Sequence, residues 1–150
     1  MSKRIVIVSG GEIDRETAVT ILKQPESRYI IAVDKGMEFL YAERIMPSYI
    51  VGDFDSIDPA VISYYKKEAK VPIREFNPVK DASDTEIAIR LAIELGVKEL
   101  WILGATGSRL DHVMANIQIL KIALDAGVKA WIVDTCNRIS LCENEIRILK

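Results

Sequence analysis

The chain has 150 residues, 49% hydrophobic and 28% charged, which suits one well-buried core and is too short for two ordinary domains. Its 20 lysines and arginines are scattered against 22 aspartates and glutamates, for a net charge of −2, so no basic stripe offers itself to a nucleic acid. The apolar run after the basic start stops at Ser9-Gly10-Gly11, and no stretch approaches the ~18 apolar residues of a membrane span, so no membrane partner is expected.

In chain order, residues 5–8, 29–33, 49–51, 100–103 and 131–133 are short β-rich runs without strict polar alternation. Strands covered on both faces read this way. Helical stretches are expected at 14–24, 36–44, 58–69, 84–95 and 109–126, with a weaker strand at 71–75. The predicted fold is α/β: an open, mostly parallel sheet with helices on both faces, a Rossmann-like three-layer arrangement. Helix punctuation agrees with that parse. Asp58-Pro59 reads as an N-cap followed by proline at the first helical position. Ser83 with Glu86, and Ser108 with Asp111, have capping-box spacing. Gly96 and Gly127 each close a helix and open a Gly-Val-Lys connection into a Trp-Ile strand; 127 minus 96 is 31, about the length of one βαβ unit.

The tail changes character. Residues 138–142 and 145–149, separated by Glu143-Asn144, read as a short β hairpin. A lone hairpin is marginal in water, so a further β-rich segment or a second subunit is expected beside it. Cys136 and Cys142 have no histidine at metal-ligand spacing and read as reduced residues of a cytoplasmic protein.

Chemistry concentrates where strands give way to helices, the edge at which open α/β sheets bind ligands. In Gly52-Asp53-Phe54-Asp55-Ser56, an extended backbone puts residues i and i+2 on one face, so Asp53 and Asp55 are expected to converge. Two like charges about 4 Å apart repel by about 4 kcal/mol at an effective dielectric of 20, a cost that a bound divalent cation removes. A cap for the following turn needs one carboxylate and no flanking glycine, so the metal reading is preferred. In the 80–86 segment, Ser83 and Glu86 are accounted for as a cap, and Asp84 gains from the helix macrodipole. Asp81, beside Lys80 on the loop, has no such structural role. Gly104 and Gly107 open the backbone ahead of a helix N-terminus suited to phosphate. Arg109, in the first helical turn where a cation is mildly disfavoured, points to an anionic ligand. Asp111 is explained by its box with Ser108, and His112, the one histidine, reads by default as structural. Ser9-Gly10-Gly11 suits a phosphate or nucleotide turn, although the chain has neither a Walker A sequence nor the three-glycine dinucleotide fingerprint. Asp34-Lys35-Gly36 suits a ribose, a phosphate or its own helix start. This inventory belongs to phosphoryl-group chemistry, where catalysis is largely positioning and charge neutralisation.

Taken in order, Ser9-Gly10-Gly11, Val33-Asp34-Lys35-Gly36, Gly52 to Ser56, Lys80 to Glu86, and Gly104 through His112 to Asn116 resemble the thiamine pyrophosphokinase (thiamine diphosphokinase) family over nearly the whole chain. The resemblance implies Mg-dependent transfer of pyrophosphate from ATP to the hydroxyl of thiamine, giving thiamine diphosphate and AMP. Carried over, Asp53, Asp55, Asp81 and Asp84 form the metal and polyphosphate site, and Arg109 stabilises charge on the departing AMP. Lys80 and Asp111 line that site, while Ser9, Gly10, Gly11, Asp34 and Lys35 face the nucleotide with Ser56, Thr106, Ser108, His112 and Asn116. Family members are homodimers that continue into a C-terminal β-sandwich domain contributing to the thiamine pocket. The resemblance therefore divides this chain into a catalytic ATP/Mg-binding domain, 1–135, and the start of a truncated C-terminal β domain, 136–150.

Two other classes share part of this pattern. Asp-x-Asp-Ser after a strand resembles haloacid-dehalogenase-type phosphohydrolases, whose first aspartate is a nucleophile, but there the motif ends the first strand and here the third. A non-enzymatic receiver-type signalling domain needs an acidic pair after the first strand and a lysine after the fifth, where this chain has Gly10-Gly11 and Gly104-Ala105.

Overall fold

The computed structural model describes residues 4–75 and 82–149. The chain runs β1 (Arg4–Val8), α1 (Arg15–Leu22), β2 (Tyr29–Val33), α2 (Gly36–Ala42), β3 (Tyr49–Gly52), α3 (Pro59–Ser63), a π-helical turn (Tyr64–Glu68) and β4 (Ile73–Glu75). It continues with α4 (Asp84–Glu94), β5 (Glu99–Leu103), α5 (Leu110–Asp125), β6 (Lys129–Val133) and β7 (Arg138–Ile139). The seven strands form one sheet in the order β4-β3-β2-β1-β5-β6-β7, parallel except for β7. The expected α/β class and its mostly parallel sheet are therefore what the chain forms.

The strand order reverses at β1. The first three connections step outward through β2 and β3 to β4, and α4 then carries the chain back across to β5 on the other side of β1. Because crossovers between parallel strands share one hand, this reversal sends the helices to opposite faces. Ala18, Ile21 and Leu22 of α1, Met37 and Leu40 of α2 and Val61 of α3 pack on Val6, Val8, Ile30, Ala32 and Ile50. Ala88, Ile89, Leu91 and Ala92 of α4, with Leu120 and Ala123 of α5, pack on Ile5, Ile7, Ile31, Leu100 and Ile102 of the other face. Register aligns Ile7 with Ile31 and with Ile102, all three fully buried, so apolar burial peaks at the centre of the sheet.

Local chemistry sets the helix starts. Asp14 accepts from the Thr17 amide, Asp58 from the Ala60 amide ahead of Pro59, and Ser83 from the Glu86 amide. The expected box of Ser108 with Asp111 does not form. The helix begins at Leu110 behind Arg109, which lies in extended backbone at the cap position and outside the first turn. Asp111 turns back to the Arg109 guanidinium at 2.7 Å, a charged partner that outcompetes the cap. The predicted helix at 58–69 is α-helical to Ser63 and then widens into the π turn, where the rings of Tyr64 and Tyr65 both meet Tyr41 edge-on.

The tail also differs in its pairing. Arg138–Ile139 runs antiparallel to β6, and residues 145–149 form no strand among the described residues. Two interactions favour that return. Asp134 accepts from the amides of Cys136 and Asn137, turning the chain, and the Arg138 guanidinium lies 4.4 Å from the centre of the Trp131 ring.

Candidate functional site

A crevice of about 830 Å³ opens at the C-terminal ends of β1, β2, β3 and β5, where the strand order reverses. Its floor is glycine-rich because the segments after β1 and β5 meet there at backbone contact. The Ser9 amide donates to Leu103 O at 2.8 Å and the Gly11 amide to Gly104 O at 2.7 Å. A Cβ on Gly11 would lie 2.4 Å from Gly104 O, and one on Gly104 would lie 2.3 Å from Ser9 O, so neither position accepts a larger residue without displacing backbone.

Three carboxylates converge in this crevice. One oxygen from each of Asp34, Asp53 and Asp84 lies within 4.8 Å of the others, and all three residues are half-buried. Each comes from a different element: Asp34 follows β2, Asp53 follows β3, and Asp84 opens α4. Asp34 is held with φ +48, a conformation in which aspartate is tolerated better than most residues. Gly52 makes its position possible, since a Cβ there would lie 2.5 Å from Asp34 Oδ1. Burial first, then the hydrogen bond and charge of Asp84, then the charge of Asp53, push the Asp34 carboxyl up to about 8. A carboxylate cluster that resists its own ionisation is short of positive charge, and three hard oxygen donors suit a divalent cation such as Mg²⁺.

Asp55 does not join them. The strand ends at Gly52 and Phe54 takes φ +64, burying its ring, so the alternation of an extended backbone stops before it reaches Asp55. Asp55 is exposed, and its amide donates to Asp53 Oδ1 at 3.3 Å in a turn. Among the described residues, the carboxylate cluster thus brings in Asp34 beside Asp53 and Asp84 and does not include Asp55. Lys80 and Asp81 lie outside the described residues.

The remaining expected residues surround the triad in different ways. Gly10, Gly11, Lys35, Ser56, Ser108, Arg109 and His112 line the crevice, with Lys35 and Arg109 as its exposed cations. Ser9 lines it too but is buried, with its hydroxyl 2.6 Å from that of Thr85, which couples the end of β1 to the residue after Asp84. Asn116 lines it while donating its side-chain amide to Ala105 O at 2.9 Å. Asp111 is exposed and outside the lining, paired with Arg109, whose hydrogen bond, aided by its charge, holds the carboxyl below the usual range. Glu12, to which the sequence pattern gives no role, and Glu86, which it reads only as part of the Ser83 cap, also line the crevice. Among the described residues, no helix is long and apolar enough to cross a membrane.

Fold and site define an open α/β domain with an acidic, cation-type crevice at its topological switch point. The family model for the thiamin pyrophosphokinase catalytic domain matches residues 22–132. The chain is 32% identical over 139 residues to the thiamine pyrophosphokinase of Bacillus subtilis (strain 168), an alignment covering 93% of this chain and 64% of that protein. The crystal structure of the Bacillus subtilis enzyme aligns with a TM-score of 0.79 at 31% identity, over 92% of this chain and 64% of that one. That of the Geobacillus thermodenitrificans thiamin pyrophosphokinase aligns with a TM-score of 0.71 at 28% identity, over 87% and 59%. This chain belongs to the thiamin pyrophosphokinase catalytic-domain family. It spans a little under two thirds of the length of these relatives.

Proposed function

We propose that the chain carries the catalytic α/β half of a thiamine pyrophosphokinase, transferring the pyrophosphoryl group of Mg-ATP to the hydroxyl of thiamine. The observation that carries this reading is the convergence of Asp34, Asp53 and Asp84 at the switch-point crevice of a chain in that family. These carboxylates hold the cation, which when bound neutralises polyphosphate charge and polarises the phosphoryl oxygens. Lys35 and Arg109 line the same crevice and supply positive charge to the phosphates. Arg109 is free to change partners, because its pair with Asp111 is exposed on both sides and water and salt screen such pairs strongly. In the reaction, the thiamine oxygen bonds to the β-phosphorus, the bond from that phosphorus to the bridging oxygen of the α-phosphate breaks, and AMP departs as the hydroxyl proton passes to one of the crevice aspartates. Arg109 stabilises the charge left on AMP.

The further parts of the reading rest on the family resemblance. We propose a cytoplasmic homodimer whose thiamine pocket is completed by a C-terminal β domain, with 1–135 as catalytic unit and 136–150 as the start of that β domain. Arg138 and Ile139 pair with β6, so the two parts would be joined along a sheet edge. Membership of this family leaves the phosphohydrolase and receiver alternatives without support. The test is incubation with Mg-ATP and thiamine, following nucleotide products. Thiamine-dependent AMP is expected; ADP, or phosphate released without thiamine, would reject the mechanism.

A further inference from the structure

We infer that Asp134 is a positioning residue for this crevice: through Thr106, its carboxylate fixes the 104–109 loop to the turn after β6. The inference rests on the reading of the crevice as the Mg-ATP site. Asp134 directly follows β6 at the ligand edge of the sheet, but it lies outside the crevice lining, whereas Thr106 is part of it. Its action on a ligand therefore runs through another residue.

The carboxylate divides its two oxygens between two segments. Oδ1 accepts from the amides of Cys136 at 2.8 Å and Asn137 at 2.6 Å, and Oδ2 accepts from the Thr106 hydroxyl at 2.8 Å. The Asn137 side-chain amide lies 3.1 Å from both oxygens. Burial acts to raise this carboxyl, yet the hydrogen bonds from Asn137 and Thr106 and from the two amides outweigh it and hold the group below the usual carboxylate range. It stays ionised, so its bond from Thr106 is charge-assisted.

Two ties to other segments hold the start of the loop, Gly11 N–H to Gly104 O at 2.7 Å and the Asn116 amide to Ala105 O at 2.9 Å, and its end joins α5 where the Val113 amide donates to Arg109 O at 3.2 Å. Thr106 adds a tie to the turn after β6 between them, ahead of Ser108 and Arg109, which sit on the exposed rim. Its hydroxyl proton is committed to Asp134, so the contribution of this residue to a ligand lies in where it holds the backbone. A misplacement of about 1 Å can cost on the order of 100-fold in a reaction, and a loop that carries the crevice arginine is sensitive to such shifts.

The experiment measures Mg-ATP affinity by titration for the wild type, Thr106→Val, Thr106→Ser, Asp134→Ala and the Thr106→Val/Asp134→Ala double variant. Roughly tenfold weaker binding is expected for Thr106→Val and at least that for Asp134→Ala, the scale of one charge-assisted hydrogen bond. Thr106→Ser keeps the hydroxyl and should bind like the wild type. The double variant should be no weaker than Asp134→Ala, because both changes remove the same bond. Wild-type binding with Thr106→Val unaffected overturns this inference alone, as do losses that add in the double variant, which would mean that Thr106 touches the nucleotide itself. A wild type that does not bind Mg-ATP overturns the crevice reading beneath it. If Asp134→Ala does not fold, the contrast between Thr106→Val and Thr106→Ser decides the matter.

Discussion

The middle of the sheet and its C-terminal rim, a few residues apart on the same strands, follow opposite rules. In the middle, Ile7, Ile31 and Ile102 are 0% exposed and packed in regular extended backbone. At the rim, Asp34 and Phe54 take left-handed backbone angles, and three carboxylates face one another with one of them pushed up to about 8. The middle holds the fold together. The rim carries local strain and charge repulsion that a fold alone does not need, which is the mark of a site built for a ligand.

Substitutions should separate the two regions, and the largest loss of stability belongs to the middle. Ile7→Ala removes a fully buried side chain and should cost about 2–5 kcal/mol in denaturant unfolding. A cost below about 1 kcal/mol would show that the core is not centred there. Asp53→Asn at the rim should instead leave the metal-free protein at least as stable as the wild type, since it relieves repulsion. It should weaken Mg-ATP binding by at least the ~10–100-fold that even outer-shell changes cause at metal sites. Unaltered binding would remove Asp53 from the site.

The rim should also reveal itself through pH. The folded-state carboxyl of Asp34 is raised from 3.8 to about 8, so between those values the native state holds a proton that the unfolded state has lost. In this component metal-free stability is fully present below pH 3.8 and is lost as pH rises from there through about 8. Melting temperatures taken in chelator should show that decline in the wild type and a shallower one in Asp34→Asn; equal slopes would contradict the assignment. The smallest effect is expected where the regions meet. Ser9→Ala breaks the 2.6 Å bond to Thr85 and should cost about 1–2 kcal/mol, with a modest loss of Mg-ATP affinity through Asp84.

Most of the fold was legible because its signals are local. Five apolar runs, the Asp58-Pro59 cap and the Ser83 cap each specify structure within a few residues, and each element appears close to its expected place. The site was legible in part. Asp53 and Asp84 stand in motifs at strand or helix ends, and both reach the triad. The sequence places Asp34 on the nucleotide side; its nearness to Asp84 depends on β2, β3 and the start of α4 coming together, which no spacing within one segment encodes. Asp55 stays outside the cluster because Phe54 leaves the extended conformation to bury its ring, a tertiary effect that the two-residue spacing does not encode. Asp134 carried a weak signal, an acidic residue one step past a strand on the ligand edge. Its partner Thr106 lies 28 residues earlier, too far for local pattern to connect them. The tail's pairing was missed for a related reason: Arg138 is drawn to Trp131, a choice between two strands that alternation alone does not make.

The most direct test of the central claim is a crystal grown with Mn²⁺ and a non-hydrolysable ATP analogue, with the ion located by its anomalous scattering. A peak coordinated by carboxylate oxygens of Asp34, Asp53 and Asp84 is expected, with the triphosphate in the crevice between β1 and β5. Bound analogue with its ion held elsewhere, or these three carboxylates turned away from it, would show that the triad is not the metal site.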